Sequence, residues 1–271
     1  MPLVDPVTMS SSIAKGAAAQ AVQSSPITKG NESQQQQQHP IQLRQTPLAQ
    51  SARHALPALI AAVFLIRFDS LVNKPDPAPT MKTSLPVVAA LQLAYAMICL
   101  PVAGSAGSQN AKASSSRKPR LGEKKSKSGG GGGGDGPNGY VAAVLSLVLT
   151  TFVTPFLYIV MILFGAPFLT HGAHTFLCAA HLAVLVFFPL FYAHGVDSAA
   201  WAAVGSFRAP FDETFGGLVG GVVGGWLGAV PIPLDWDREW QKWPVTVLCG
   251  IYGGYFLGRI LGGTVLFGKR F

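Results

Sequence analysis

The sequence predicts an all-α, polytopic membrane protein of six transmembrane helices with both termini cytoplasmic. Three observations carry that prediction. Of the 271 residues, 49% are hydrophobic and only 12% charged, against roughly a quarter charged in an ordinary soluble domain, so the chain cannot cover a soluble surface. The polar residues gather in 1–53 and 105–139, which leaves the remainder close to pure bilayer material. Within that remainder, apolar runs recur at the length of a membrane crossing, roughly 20 residues in a helix.

Six runs meet that length, at about 53–72, 84–104, 140–164, 174–194, 214–234 and 244–267. Residues 1–52, rich in Ser, Ala and Gln with Gln34 to Gln38 in a row, read as a disordered cytoplasmic tail without the apolar core of a cleavable signal peptide, so the first membrane helix serves as an uncleaved anchor. The first two helices occupy 53–104. Residues 105–139 read as a disordered cytoplasmic loop, basic at first and then Gly-rich through Gly129 to Gly134. The other four helices fill 140–271, the third carrying Pro155 and the fourth Pro189, each expected to kink its helix. The fifth and sixth runs are the glycine-rich ones.

Basic residues set the orientation. Lys15, Lys29, Arg44 and Arg53 of the tail, the cluster from Lys112 to Lys127, Arg208, and Lys269 with Arg270 fall on one side. They outnumber Arg67, Lys74, Lys82, Arg238 and Lys242 on the other. The net charge of +8 lies mostly in one loop and two tails without interleaved aromatics, which argues against nucleic acid as a partner and for charge flanking a membrane.

In the fifth run Gly216, Gly220, Gly224 and Gly228 recur every four residues, with Gly217, Gly221 and Gly225 as a second ladder beside them. In the sixth, Gly250, Gly254, Gly258 and Gly262 do the same. Glycines four apart share a helix face and let another backbone approach closely. Two occupants are open: the fifth and sixth helices packing on each other, and a helix of another protein received by the second ladder.

Between these helices lies the connection from Pro231 to Pro244. Trp236, Trp240 and Trp243 suit the headgroup zone, and Asp235, Asp237 and Arg238 could form a turn that binds a zwitterionic headgroup or a partner's loop. Arg259, inside the sixth helix, either snorkels to the cytoplasmic end or meets a phosphate or carboxylate. Asp212 and Glu213 stand where the dipole of the fifth helix favours negative charge. Arg67 and Asp69 can pair locally or meet headgroups.

Cys99, Cys178 and Cys249 fall in separate apolar runs and read as small buried residues. His171, His174, Cys178 and His181 share one helical stripe, whose spacing fits polar packing better than a metal site. No GxSxG, HExxH or P-loop pattern and no paired acidic cluster is present, so neither a catalytic residue, a metal nor a cofactor is expected.

The stretch from Phe211-Asp-Glu-Thr-Phe-Gly to Trp243-Pro244, above all Gly228-Ala-Val-Pro-Ile-Pro-Leu-Asp-Trp-Asp-Arg238 followed by Trp240-Gln-Lys-Trp-Pro244, closely resembles the PIG-F family of glycosylphosphatidylinositol-anchor biosynthesis proteins. The likeness covers about 205–262 and agrees with the number and spacing of the earlier helices. It departs at Glu239, where many members carry proline. The likeness does not extend to residues 1–50 and 105–138, which look like elaborations of a fungal-type member. The resemblance implies an endoplasmic reticulum membrane protein that is a non-catalytic subunit of a GPI-ethanolamine phosphate transferase. Its partner would be a PIG-O-like catalytic subunit, with a PIG-G-like one as a further candidate. Presentation or transport of membrane lipid, phosphatidylethanolamine or the glycolipid precursor, is the alternative.

Overall fold

The computed structural model describes residues 39–104, 138–234 and 236–270, and those residues form helices and their connections with no strand. The expected tail before His39, the loop over 105–137 and Asp235 lie outside the described residues.

Helix α1 spans Pro47–Asn73. It begins ahead of the expected boundary because Thr46 caps it, its hydroxyl accepting from Ala49 N at 3.2 Å, and Pro47 occupies the first turn, where a missing N–H costs nothing. Helix α2 spans Ala78–Cys99, with Asp76 Oδ1 accepting from Ala78 N at 2.8 Å. Helix α3 spans Gly139–Leu163. Ser146, Thr150 and Thr154 each return a hydroxyl hydrogen bond to the carbonyl four residues back, at 2.6, 2.7 and 2.9 Å, and so carry no unsatisfied polar group into the apolar helix.

Helix α4, Gly172–His194, is the most enclosed: 72% of its apolar stretch is buried, against 17% for α1. A π-turn over Ala183–Phe187 interrupts it. Pro189 explains the interruption, because it lacks an N–H and its ring cannot accept the carbonyl of residue 185 in the usual α geometry. That freed carbonyl of Leu185 accepts Gln92 Nε2 at 2.7 Å. A short helix α5, Ser198–Gly205, follows; it is capped by Asp197 and absent from the expected elements.

Helix α6, Glu213–Ala229, ends sooner than the sequence pattern suggests, since Val230 to Leu234 turn away through Pro231 and Pro233. A single 3₁₀ turn at Glu239–Gln241 leads to helix α7, Val245–Gly263. Among the described residues, five helices, α1 to α4 and α7, are long and apolar enough to cross a membrane. Helix α6 has 17 residues, a length of about 25 Å at 1.5 Å per residue.

The main core gathers Ile60, Met81, Val88, Leu185, Leu248, Ile251 and Tyr252 from α1, α2, α4 and α7. A second gathers Tyr95, Cys99, Leu100, Phe188 and Tyr192. Both described chain ends meet at the end of the bundle where α6 starts. Ile41 N donates to Asp212 Oδ2 at 3.0 Å, Arg44 N to Cys99 O at 2.9 Å, and Phe211 and Lys269 are joined through the backbone at 2.9 Å.

Candidate functional site

Helices α6 and α7 run antiparallel and touch over their whole length, more extensively than any other helix pair. The first ladder of α6 and the ladder of α7 make this contact. A Cβ built on Gly216, Gly220 or Gly224 would lie 2.3, 2.1 and 2.1 Å from the carbonyl oxygens of Gly258, Gly254 and Gly250. The reverse holds from Gly250, Gly254 and Gly258 at 2.1 Å each, while Gly262 opposes Asp212 O and Gly228 opposes Thr246 O. Backbone rests on backbone, with no side chain between.

The second ladder also faces this chain's own side chains. A Cβ on Gly217 would meet Tyr255 at 3.1 Å, on Gly221 Val186 at 2.7 Å, and on Gly225 Ile251 at 3.0 Å. Both glycine faces are therefore occupied from within. Gly253 differs, with nothing within 4 Å of its Cβ position, and lies on an exposed stripe of α7 with Leu257 and Ile260.

At the end where α6 begins, four helices bring ionisable groups into the core. Glu213 is 8% exposed and accepts from Arg259 Nη2 at 2.7 Å, from Tyr95 Oη at 3.3 Å and from Arg53. Arg259, 6% exposed, lies over the Tyr95 ring at 4.1 Å and donates to Tyr255 Oη at 3.4 Å and to Arg53 O at 3.1 Å. That last acceptor exists because Pro57, four residues on in α1, has no N–H to claim it.

Arg259 thus has a carboxylate partner and does not snorkel. Glu213, assigned above only to the helix dipole, is the centre of the cluster. One of the two arginine charges is neutralised by Glu213, and the other belongs to Arg53, whose side chain is 35% exposed and reaches the boundary. Asp212 does act as the α6 cap, accepting from Thr214 N and Phe215 N at 2.9 Å each.

At the opposite end, the connection between α6 and α7 is held by two residues outside the expected set. Gln241 Nε2 donates to Pro231 O at 2.9 Å and Leu234 O at 2.6 Å, while Gln241 Oε1 accepts from Arg238 N at 3.0 Å. Lys242 Nζ donates to Val72 O and, at 2.5 Å, to Lys74 O, which ties the connection to the end of α1. Trp236 packs edge-on against Trp240 at 5.7 Å. Trp243 Nε1 donates to Thr175 Oγ1 at 3.0 Å. Asp237, at φ 45°, and Arg238 are exposed.

Of the histidine and cysteine stripe, His174 Nε2 pairs with Asp76 Oδ1 at 2.7 Å. His181 sits deep between Tyr252 Oη at 2.8 Å and Met81 O at 3.2 Å, and Cys178 is buried. The residues serve separate contacts along α4. Asp69 accepts from Asn73 Nδ2 at 2.6 Å. The Ala78 N–H, more than His174, holds the Asp76 carboxyl below its ordinary range.

A helical bundle with several apolar spans, a glycine-zippered terminal hairpin and an ion-pair cluster sealed inside defines a polytopic membrane protein built around helix packing. The chain belongs to the GPI biosynthesis protein family Pig-F, whose family model matches residues 55–263. It is 62% identical over the full length of both chains to glycosylphosphatidylinositol anchor biosynthesis protein 11 of Neurospora crassa. It is 47% identical to the protein of the same name in Pyricularia oryzae, over 98% of this chain and 96% of that one. A human relative named GPI ethanolamine phosphate transferase, stabilizing subunit, is 31% identical over 42% of this chain and 53% of its own. No solved structure matches the chain.

Proposed function

We propose that this chain is a non-catalytic membrane subunit that stabilises the catalytic subunit of a GPI-ethanolamine phosphate transferase during addition of ethanolamine phosphate to the anchor precursor. The name of the human relative carries the reading. Its setting is the endoplasmic reticulum membrane, with six crossings and both termini cytoplasmic. The sixth crossing is α6, which is coextensive with the apolar span α7 along the glycine contact. The meeting of both described chain ends at one end of the bundle fits an even number of crossings.

The glycines act on the partner through the hairpin they close. That hairpin presents the stripe of Gly253, Leu257 and Ile260, where the open glycine allows a partner helix its closest approach. The exposed turn at Asp237 and Arg238, flanked by Asp235, Trp236, Trp240 and Trp243, offers a second contact for a partner loop or headgroup. A PIG-O-like subunit is the expected partner, with a PIG-G-like one competing.

Affinity purification of the full chain from gentle detergent should recover a large ethanolamine phosphate transferase, and loss of the chain should lower that enzyme's steady-state level. Gly253→Leu should leave the isolated chain's thermal transition in place, since the site is open, yet cut recovery of the transferase by roughly tenfold, about 1.4 kcal/mol. Full recovery with Gly253→Leu moves the docking face elsewhere. Recovery of no transferase by the unaltered chain overturns the reading.

A further inference from the structure

Helices α3 and α6 leave a groove between their C-terminal ends of about 630 Å³. Its walls include Met161 of α3, Phe164 just beyond it, and Val222, Val223 and Trp226 of α6, with Val247 among the lining residues. The α6 walls are exposed apolar side chains, 48% for Val222, 47% for Val223 and 64% for Trp226. Trp243 lines this groove and also a second, polar pocket of about 390 Å³, bounded by Asp76, Thr170, His171, His174 and Lys242. An apolar slot and a charged pocket thus share one wall, at the end of the bundle where α1 stops and α2 starts.

The polar pocket carries both signs of charge. Asp76 binds Ala78 N and His174 through Oδ1, and its side chain is 58% exposed. The Lys242 ammonium already donates to two carbonyls, so it offers positive charge more than a free donor. His174 Nδ1 is buried without a hydrogen-bond partner, while its Nε2 is held by Asp76.

We propose that groove and pocket together bind one phospholipid with a zwitterionic headgroup, an acyl chain in the groove, the ammonium at Asp76 and the phosphate toward Lys242. A carboxylate and a cation facing one pocket complement a headgroup of both signs, whereas a purely anionic headgroup would meet Asp76 unfavourably. This site does not depend on the identity of the partner enzyme.

The test is native mass spectrometry of the purified full chain titrated with dioleoyl phosphatidylethanolamine or dioleoyl phosphatidylglycerol, with unfolding followed in parallel. The unaltered chain should bind the ethanolamine lipid about tenfold more tightly. Asp76→Asn, which keeps an acceptor for Ala78 N, should erase that preference, and Asp76→Glu should restore part of it. Val223→Trp, at an exposed wall, should weaken both lipids. Equal binding of the two lipids, or a preference that survives Asp76→Asn, means annular lipid only and overturns the proposal; unchanged binding by Val223→Trp removes the groove from it. Co-purification of the transferase is read separately, so either idea can fail alone.

Discussion

Glu213 is the residue on which the buried charges depend. It neutralises Arg259 and also accepts a hydrogen bond from Arg53 at the boundary, while Tyr95 contributes both its hydroxyl and its ring. A buried ion pair gains little over an apolar filling of the same shape, but removing one partner strands the other charge. Glu213→Ala should therefore cost about 3–5 kcal/mol, whereas Glu213→Leu combined with Arg259→Met should recover a large part of that loss. Thermal unfolding in detergent, followed by tryptophan fluorescence, gives both values. A single alanine variant as stable as the parent would show that the pair carries no such weight. Only Arg259 of this cluster called for a partner in the sequence, because Glu213 reads there as an ordinary first-turn acid and the two lie 46 residues apart on different helices. Pro57 held a usable signal, since a proline inside an apolar helix frees a carbonyl that something polar must take, as Pro189 does for Gln92.

The terminal hairpin depends on glycine at alternate layers of its contact, and the structure separates the indispensable positions from the spare one. Gly224→Ala or Gly254→Ala would push a methyl into a carbonyl oxygen, which forces the helices apart and should cost at least about 3 kcal/mol by overpacking. Gly253→Ala, in open space, should be neutral or stabilise by about 0.5–1 kcal/mol through helix propensity. Melting temperatures of the three variants test the contrast, and equal loss at all three would contradict it. Period-four glycines are legible in a sequence because only a helix makes that spacing meaningful. Which neighbour they face is not, since Gly221 meets Val186 of α4 across a tertiary contact that no local pattern encodes. The extra turns of α1 and the short α5 were equally hidden, the first behind a Thr-Pro cap and the second because eight residues are too few for a periodic signal.

At the scale of the whole molecule, the apolar segments were legible as helices, and the basic connections predict which side of the membrane each one faces. Single cysteines placed near Lys269 and in the loop at Lys124 should react with an impermeant thiol reagent from the cytoplasmic side. One at Asp237 should be protected until the opposite side is exposed. Labelling of Asp237→Cys from the same side as the loop would mean that α6 and α7 do not both cross. Charge speaks to sidedness and not to packing order: α4 at the centre and α1 at the rim follow from burial, and the two helices are similarly apolar in sequence.

The cluster at Glu213 also has a meaning for the order of synthesis. Arg53 is made 160 residues before its carboxylate and Tyr95 118 residues before. Through most of its time on the ribosome, the growing chain holds a cation in α1 whose counter-charge does not yet exist, and Arg259 arrives only near the end. A chain truncated before α6 keeps that cation uncompensated, and one truncated within α7 keeps Glu213 short of its second arginine. The contact that completes the finished core is thus absent from any chain that lacks α6 or α7.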